Sequence, residues 1–126
     1  MRYQMPHYPC DFEIPDDWLS AAGMIGFVAA DSAYRSTAAA ILIPLTAIEP
    51  VYRFTTHPKD WRGFDRARLI SIFEGFVAGS EIEPAPVLEL PDMDFRRAPY
   101  RYRVLDGFHR FYASIAAGFD HLPGLP

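Results

Sequence analysis

The sequence predicts an α+β fold, a single domain of 126 residues in which helices pack against a small mixed sheet. Three segments have the composition of β-strands, near residues 41–45, 86–90 and 100–105. They alternate with two segments of helical periodicity, near 66–78 and 110–117. Half of the residues are hydrophobic and 15% are aromatic, which argues against a disordered chain.

Residues 1–40 precede this pattern and are predicted to form an extended arm followed by a short helix. Residues 1–14 are rich in aromatic residues and proline and contain few helix formers. A helix is predicted over 15–23, because proline and aspartate occupy its first turn and glycine follows its end. The arm and this helix together contain four large aromatic side chains, Tyr3, Tyr8, Phe12 and Trp18. If all four were exposed they would form an aggregation-prone patch, so we expect them to be buried against the body or a second subunit.

The first strand and the longer helix follow. An apolar run beginning at residue 40 predicts a buried strand, which Ile48-Glu49-Pro50 ends because proline cannot donate to a β-ladder. Asp65 is the predicted N-cap of the helix near 66–78, and Gly79 ends it. Apolar residues recur in this helix at spacings of three and four, which indicates a core-facing stripe of Leu69, Ile70, Phe73, Phe76 and Val77.

A strand-to-helix turn at residues 106–110 is the main candidate for a functional site. The strand near 100–105 leads into it, and the helix after it is stopped by Gly118. The first backbone N–H groups of that helix lack intrahelical partners and lie at the positive end of its dipole, so the turn is a predicted anion site. Gly107 would let a ligand approach the backbone, while His109 and Arg110 would add donors and positive charge.

A structural alternative for the same turn remains open. Asp106 would then be the N-cap of the helix, Gly107 would only make the turn, and Arg110 would lie on the surface. The Asp106 carboxylate would also repel a phosphate unless Mg²⁺ or the neighbouring arginine screened it.

Around this turn the chain resembles the ParB/sulfiredoxin-like superfamily. The resemblance rests on the run Val104-Leu105-Asp106-Gly107-Phe108-His109-Arg110-Phe111-Tyr112-Ala113, with further likeness at residues 43–50 and 82–90. It implies that residues 41–126 form a ParB/sulfiredoxin-like domain, with residues 1–40 as an added arm and short helix. It also implies a bound nucleotide, ATP, ADP or CTP, with Mg²⁺. The residues that it assigns to nucleotide binding are Gly107, Phe108, His109, Arg110 and Arg53. The residues that it assigns to catalysis are Asp106, Glu49 and His109, and either Asp106 or Glu49 would act as the base or hold Mg²⁺.

Phe108 stands where sulfiredoxins of this superfamily carry their cysteine, so sulfiredoxin chemistry is excluded at that position. The Asp-Gly-x-His-Arg sequence is most similar to the turn of the free-serine kinases, which implies a phosphotransferase or nucleotide hydrolase. Two alternatives stay open, a non-catalytic protein-interaction module and a nuclease or DNA-associated protein. The net charge of −4 makes nucleic-acid binding the less attractive of these.

Residues 121–126 are predicted to lack the last strand that this superfamily usually has after the helix. Either the fold closes without that strand or another chain supplies it. An open sheet edge, together with the N-terminal arm, would engage a partner protein or a second copy. One cysteine allows no internal disulfide, and the four histidines show no metal-ligand spacing. With no signal peptide and no apolar run long enough to span a bilayer, the sequence predicts a cytoplasmic protein that does not interact with membranes.

Overall fold

The computed structural model describes residues 1–7, 9–51, 60–91 and 100–126. The helices and strands are β1 (Arg2–Gln4), β2 (Asp11–Glu13), α1 (Asp16–Ala21), β3 (Ile41–Pro44), α2 (Arg66–Ala78), β4 (Ala85–Glu89), β5 (Tyr102–Val104), α3 (Phe108–Ala117) and β6 (His121–Leu125), with a 3₁₀ turn at Leu45–Ala47. In these segments of the chain, no helix is both long enough and apolar enough to cross a membrane.

A four-stranded mixed sheet in the order β3-β6-β4-β5 forms the centre of the fold. The pairs β3–β6 and β4–β5 are antiparallel, and β4–β6 is parallel. The helices α2 and α3 pack against each other, and the core includes residues from both helices and from the sheet. The predicted α+β fold with a small mixed sheet is therefore confirmed.

The expectation that the chain lacks a final strand was wrong, because β6 lies inside the sheet between β3 and β4. Pro123 is opposite Leu42 on β3, and the pairing with β4 begins only at Gly124. A Cβ atom at Gly124 would collide with the side chain of Ile43, so glycine lets Ile43 pack over this strand, while Val87 would lie at a contact distance of 3.4 Å. Proline thus occupies a position of the inner strand that pairs with β3 and not with β4, and glycine occupies a position where a side chain would not fit.

The two outer strands of the sheet are β3 and β5. On β3, Pro44 has no backbone N–H to offer to another strand, which makes the edge a poor template for pairing. The outer side of β5 is covered by the segment after the 3₁₀ turn, where the Glu49 amide donates to the Tyr102 carbonyl at 2.9 Å. The fully open edge expected from the sequence is not present in this part of the chain.

Helix α2 begins and ends as predicted. The Asp65 carboxylate accepts a hydrogen bond from the Arg68 amide at 3.1 Å, and Gly79 ends the helix in the left-handed conformation with φ 68°. Leu69 and Phe73 are fully buried. Val77, in contrast, was assigned to the core-facing stripe wrongly, because 47% of it is exposed at the end of that stripe.

The N-terminal segment folds as a hairpin of β1 and β2 that shares the core of the body. Phe12 packs edge-on against Tyr112 of α3, with ring centroids 4.9 Å apart. The predicted burial is confirmed for Phe12 and for Trp18 of α1, whereas Tyr3 is half-buried. Tyr8, the fourth aromatic of that prediction, lies outside the described residues. Because these contacts are core contacts, the N-terminal hairpin is part of the structural framework.

Residues 34–36 precede α2 in the chain and contact both the end of α2 and the segment that leads into β4. Tyr34 stacks on Phe76 of α2, with centroids 5.5 Å apart, and its hydroxyl donates to the Glu83 carbonyl at 2.8 Å. Ser36 donates to the Ile82 carbonyl at 2.6 Å. Burial raises the pKa of Tyr34 to about 12.

Candidate functional site

The turn between β5 and α3 is held by a short set of backbone contacts. The Leu105 amide donates to the Pro86 carbonyl of β4 at 2.9 Å, and α3 begins at Phe108. Gly107 is the N-cap with φ 116°, and no side chain caps the helix. Asp106 is exposed and is not the N-cap, so the structural alternative considered for it was wrong. Among the described residues, no side chain accepts a capping hydrogen bond from the first amides of α3.

Gly107 is required by close packing. A Cβ atom at this position would lie 2.9 Å from the Ala85 Cβ and 3.2 Å from both Nε and Nη2 of Arg110. Its positive φ is also one that other L-residues avoid. Where the sequence indicated room for a ligand, the structure places β4 and an arginine side chain beside this glycine.

Arg110 is buried, with 9% of its surface exposed, so the surface location considered for it was wrong. Its Nη1 donates to the Glu83 carbonyl at 3.1 Å and to the Pro84 carbonyl at 2.9 Å. These bonds tie the first turn of α3 to the entry of β4. The Nε and Nη2 groups make no hydrogen bond to the described residues, although the arginine is nine-tenths buried.

His109 is turned towards α2. Its Nε2 accepts a hydrogen bond from the Asp65 amide at 2.9 Å. A ring nitrogen that accepts from an amide carries no proton, so this nitrogen cannot donate to a phosphate. The ring also lies against Phe64 and Phe108, with centroid distances of 6.1 and 4.9 Å. The phosphate-donor role expected for His109 therefore does not fit the orientation of its Nε2.

Phe108 belongs to an aromatic cluster. Its ring is half-buried and lies 5.6 Å from the ring of Phe64 and 5.1 Å from that of Tyr112. Contacts of this kind join α3 to the start of α2. The Phe108 side chain therefore packs α3 against the core. Of the groups of Phe108, its backbone amide is the one that could contact a ligand at the start of the helix.

A cleft of about 380 Å³ opens beside the turn, between α2, the entry of β4 and the start of α3. Ile72 and Ile82 provide its apolar wall, and its polar lining comprises Arg68, Ser71, Glu83, Asp106 and Arg110. Arg68 and Ser71 are three residues apart on α2 and so share a face of the helix. Sequence reasoning missed both, because an arginine and a serine opposite an apolar stripe are ordinary features of a solvated helix face.

Among the described residues, Glu49 is an expected site residue that does not line this cleft. Glu49 lies beside β5, where its carboxylate forms an ion pair with Nε of Arg103. Arg53 lies outside the described residues. The described ranges contain no group of three or more histidine, cysteine, aspartate or glutamate residues arranged to hold a metal ion. Of the predicted site, the cleft therefore brings together Asp106 and Arg110, with Gly107 between them.

Comparisons of the sequence and the structure with protein-family models, curated proteins and solved structures give no match. The resemblance to the ParB/sulfiredoxin-like superfamily accordingly stays a prediction.

Proposed function

We propose that the cleft beside the 106–110 turn binds the phosphate groups of a mononucleotide, ATP, ADP or CTP, together with Mg²⁺. The observation that carries the proposal is the state of Arg110. This arginine is nine-tenths buried, its Nη1 is fixed by two carbonyls, and its Nε and Nη2 have no hydrogen-bond partner among the described residues. Neither nitrogen is among the fully buried side-chain atoms that lack a partner, so both keep access to the cleft, where an oxyanion would accept charge-assisted hydrogen bonds from them.

Two further features support a negatively charged ligand. Arg68 brings a second guanidinium to the cleft from α2. The start of α3 lies at the same turn without a side-chain cap, so its amides and the positive end of its dipole are available to an anion. A volume of about 380 Å³ is close to the lower limit for small-molecule sites, which favours a mononucleotide over a larger ligand.

Asp106 and Glu83 are among the residues that line the same cleft, and their negative charges would repel a bare phosphate. They fit a ligand that carries Mg²⁺, because this ion is usually held by one or two carboxylates and completed by phosphate oxygens and water. We assign Asp106 one of two roles, ligand of Mg²⁺ or catalytic base, because a carboxylate that is bound to the metal is a poor base. A phosphotransferase and a nucleotide hydrolase both fit this arrangement, and we propose a cytoplasmic enzyme of one of these classes.

The test is binding of ATP, ADP and CTP with Mg²⁺, measured by calorimetric titration and thermal denaturation. A nucleotide at a hundred times its Kd should stabilise the fold by about 2.7 kcal/mol. The variant Arg68→Ala should lose about 1.5 kcal/mol of binding, the lower value for a charged hydrogen bond, because Arg68 is exposed. The matched control is Arg66→Ala, which removes another exposed arginine two positions away on a different face of α2.

Equal effects of the two arginine substitutions would mean that only overall charge matters, and would contradict the proposal. Asp106→Asn should weaken binding in the presence of Mg²⁺ and leave it unchanged or stronger in EDTA. A wild-type protein that binds none of the three nucleotides would remove the nucleotide site.

A non-catalytic protein-interaction module is the second candidate. It is favoured by two apolar side chains, Ile25 and Val28, of which 76% and 81% are exposed. Each lines an apolar groove, and Phe27 lies in both grooves. If this surface binds a partner or a second copy, Ile25→Ser combined with Val28→Ser should abolish the association seen by analytical ultracentrifugation without changing nucleotide affinity.

A further inference from the structure

We propose that His109 is a positioning residue, which holds the first turn of α2 so that Arg68 reaches into the cleft. This inference rests on the proposed function, because it assigns His109 a role in the same phosphate site. The role differs from the direct phosphate contact that the sequence indicated.

Two hydrogen bonds connect His109 to Arg68. The Nε2 of His109, on α3, accepts from the Asp65 amide at 2.9 Å. The Asp65 carboxylate in turn accepts from the Arg68 amide at 3.1 Å. Asp65 is the N-cap of α2, so both hydrogen bonds hold the first residues of this helix in position. The turn that supplies Arg110 therefore also fixes the start of the helix that supplies Arg68.

The orientation of the His109 ring is determined by its neighbours. Phe108 packs edge-on against it with a centroid distance of 4.9 Å, and the fully buried Phe64 lies at 6.1 Å. Phe64 immediately precedes Asp65 in the chain. These contacts restrict rotation of the His109 ring, so its Nε2 points towards the Asp65 amide.

A loss of this bond would release the amide of the α2 N-cap. Arg68 lies within the first turn of α2, less than one helical pitch of about 5.4 Å from the cap. A shift of the cap is therefore passed directly to the backbone of Arg68. Ligand binding would weaken even though His109 touches no ligand atom.

The experiment is a double-mutant cycle between His109 and Arg68, with ATP and Mg²⁺ as the probe and calorimetric titration as the measurement. His109→Phe keeps an aromatic ring but cannot accept the hydrogen bond. We expect it to raise Kd about tenfold, in the range of coupled neighbours, and to raise Kd less than about twofold when Arg68 is already alanine. His109→Gln, whose side-chain oxygen can accept from the Asp65 amide, should restore Kd to within about twofold of the wild type.

Hydrogen exchange at the Asp65 amide supplies a readout that does not depend on the ligand. It should be faster in His109→Phe and close to the wild-type rate in His109→Gln. If His109→Phe does not fold, His109→Leu takes its place in the cycle. Equal rises of Kd in the wild-type and Arg68→Ala backgrounds would overturn the inference and leave the proposed function intact. Absence of ATP binding by the wild type would overturn both.

Discussion

Replacement of Gly107 by alanine tests the geometry of the turn on which the site depends. Its backbone, with φ 116°, is one that an alanine adopts at a cost of about 1–2 kcal/mol. The new Cβ would also come within 2.9 Å of the Cβ of Ala85, which is fully buried and attached to β4. Overpacking of this kind costs about 1–3 kcal/mol. We therefore expect Gly107→Ala to lower the free energy of unfolding by about 2–5 kcal/mol.

The assay is urea denaturation followed by circular dichroism. Gly26→Ala is the matched control, because Gly26 also has a positive φ, 79°, but no atom lies within 4 Å of its added Cβ. The control should lose only the conformational cost, about 1–2 kcal/mol. In an Ala85→Gly background, the loss caused by Gly107→Ala should fall towards that of the control.

If Gly107→Ala and Gly26→Ala destabilise the protein equally, the close approach of β4 to the turn contributes nothing. The same conclusion would follow if Ala85→Gly left the cost of the Gly107 substitution unchanged. Either result would refute the description of the turn, and with it the placement of Arg110 beside Gly107.

Three other predictions concern stability. Arg110→Met should lower the free energy of unfolding by about 2–4 kcal/mol in urea denaturation without ligand, because the carbonyls of Glu83 and Pro84 lose their donor; an unchanged midpoint would contradict this role. Burial raises the pKa of Tyr34 to about 12, above its unfolded value, so its stabilising contribution is complete below pH 10 and is lost as pH rises towards 12. Unfolding measured at pH 8 and pH 11 should show a smaller loss in Tyr34→Phe than in the wild type. Phe12→Ala should cost about 3–5 kcal/mol by thermal denaturation, whereas a free N-terminal arm would give no change.

Helix boundaries were the part of the fold that the sequence predicted best, and the reason is local chemistry. Asp65 caps the amide of a residue three positions later, and Gly79 and Gly118 end their helices through their own backbone conformation. Such interactions need no information from distant parts of the chain. The strand-to-helix turn was predictable for the same reason.

Contacts between distant residues explain what was missed. His109 and Asp65 are 44 residues apart, and Arg110 and the Pro84 carbonyl are 26 apart, so nothing in the local pattern indicated either bond. The strand β6 was missed because proline and glycine usually argue against an inner strand. Gly124 is suitable there only because Ile43 and Val87 come from other strands to cover it.

The inner position of β6 also determines the order in which the protein can fold. Ile41 of β3 pairs with Gly124, about eighty residues further along the chain, and β6 also joins β4. Among the described residues β6 is the sheet neighbour of β3, so during synthesis this pairing must wait until residues 121–125 are available. The hairpin β4–β5 and the helices can form earlier, but the strand that links β3 to β4 arrives last. Strand pairing across sequence separations of this size is slow. The apolar side chains of β3 therefore stay unpaired for longer during folding and are the ones most prone to aggregation.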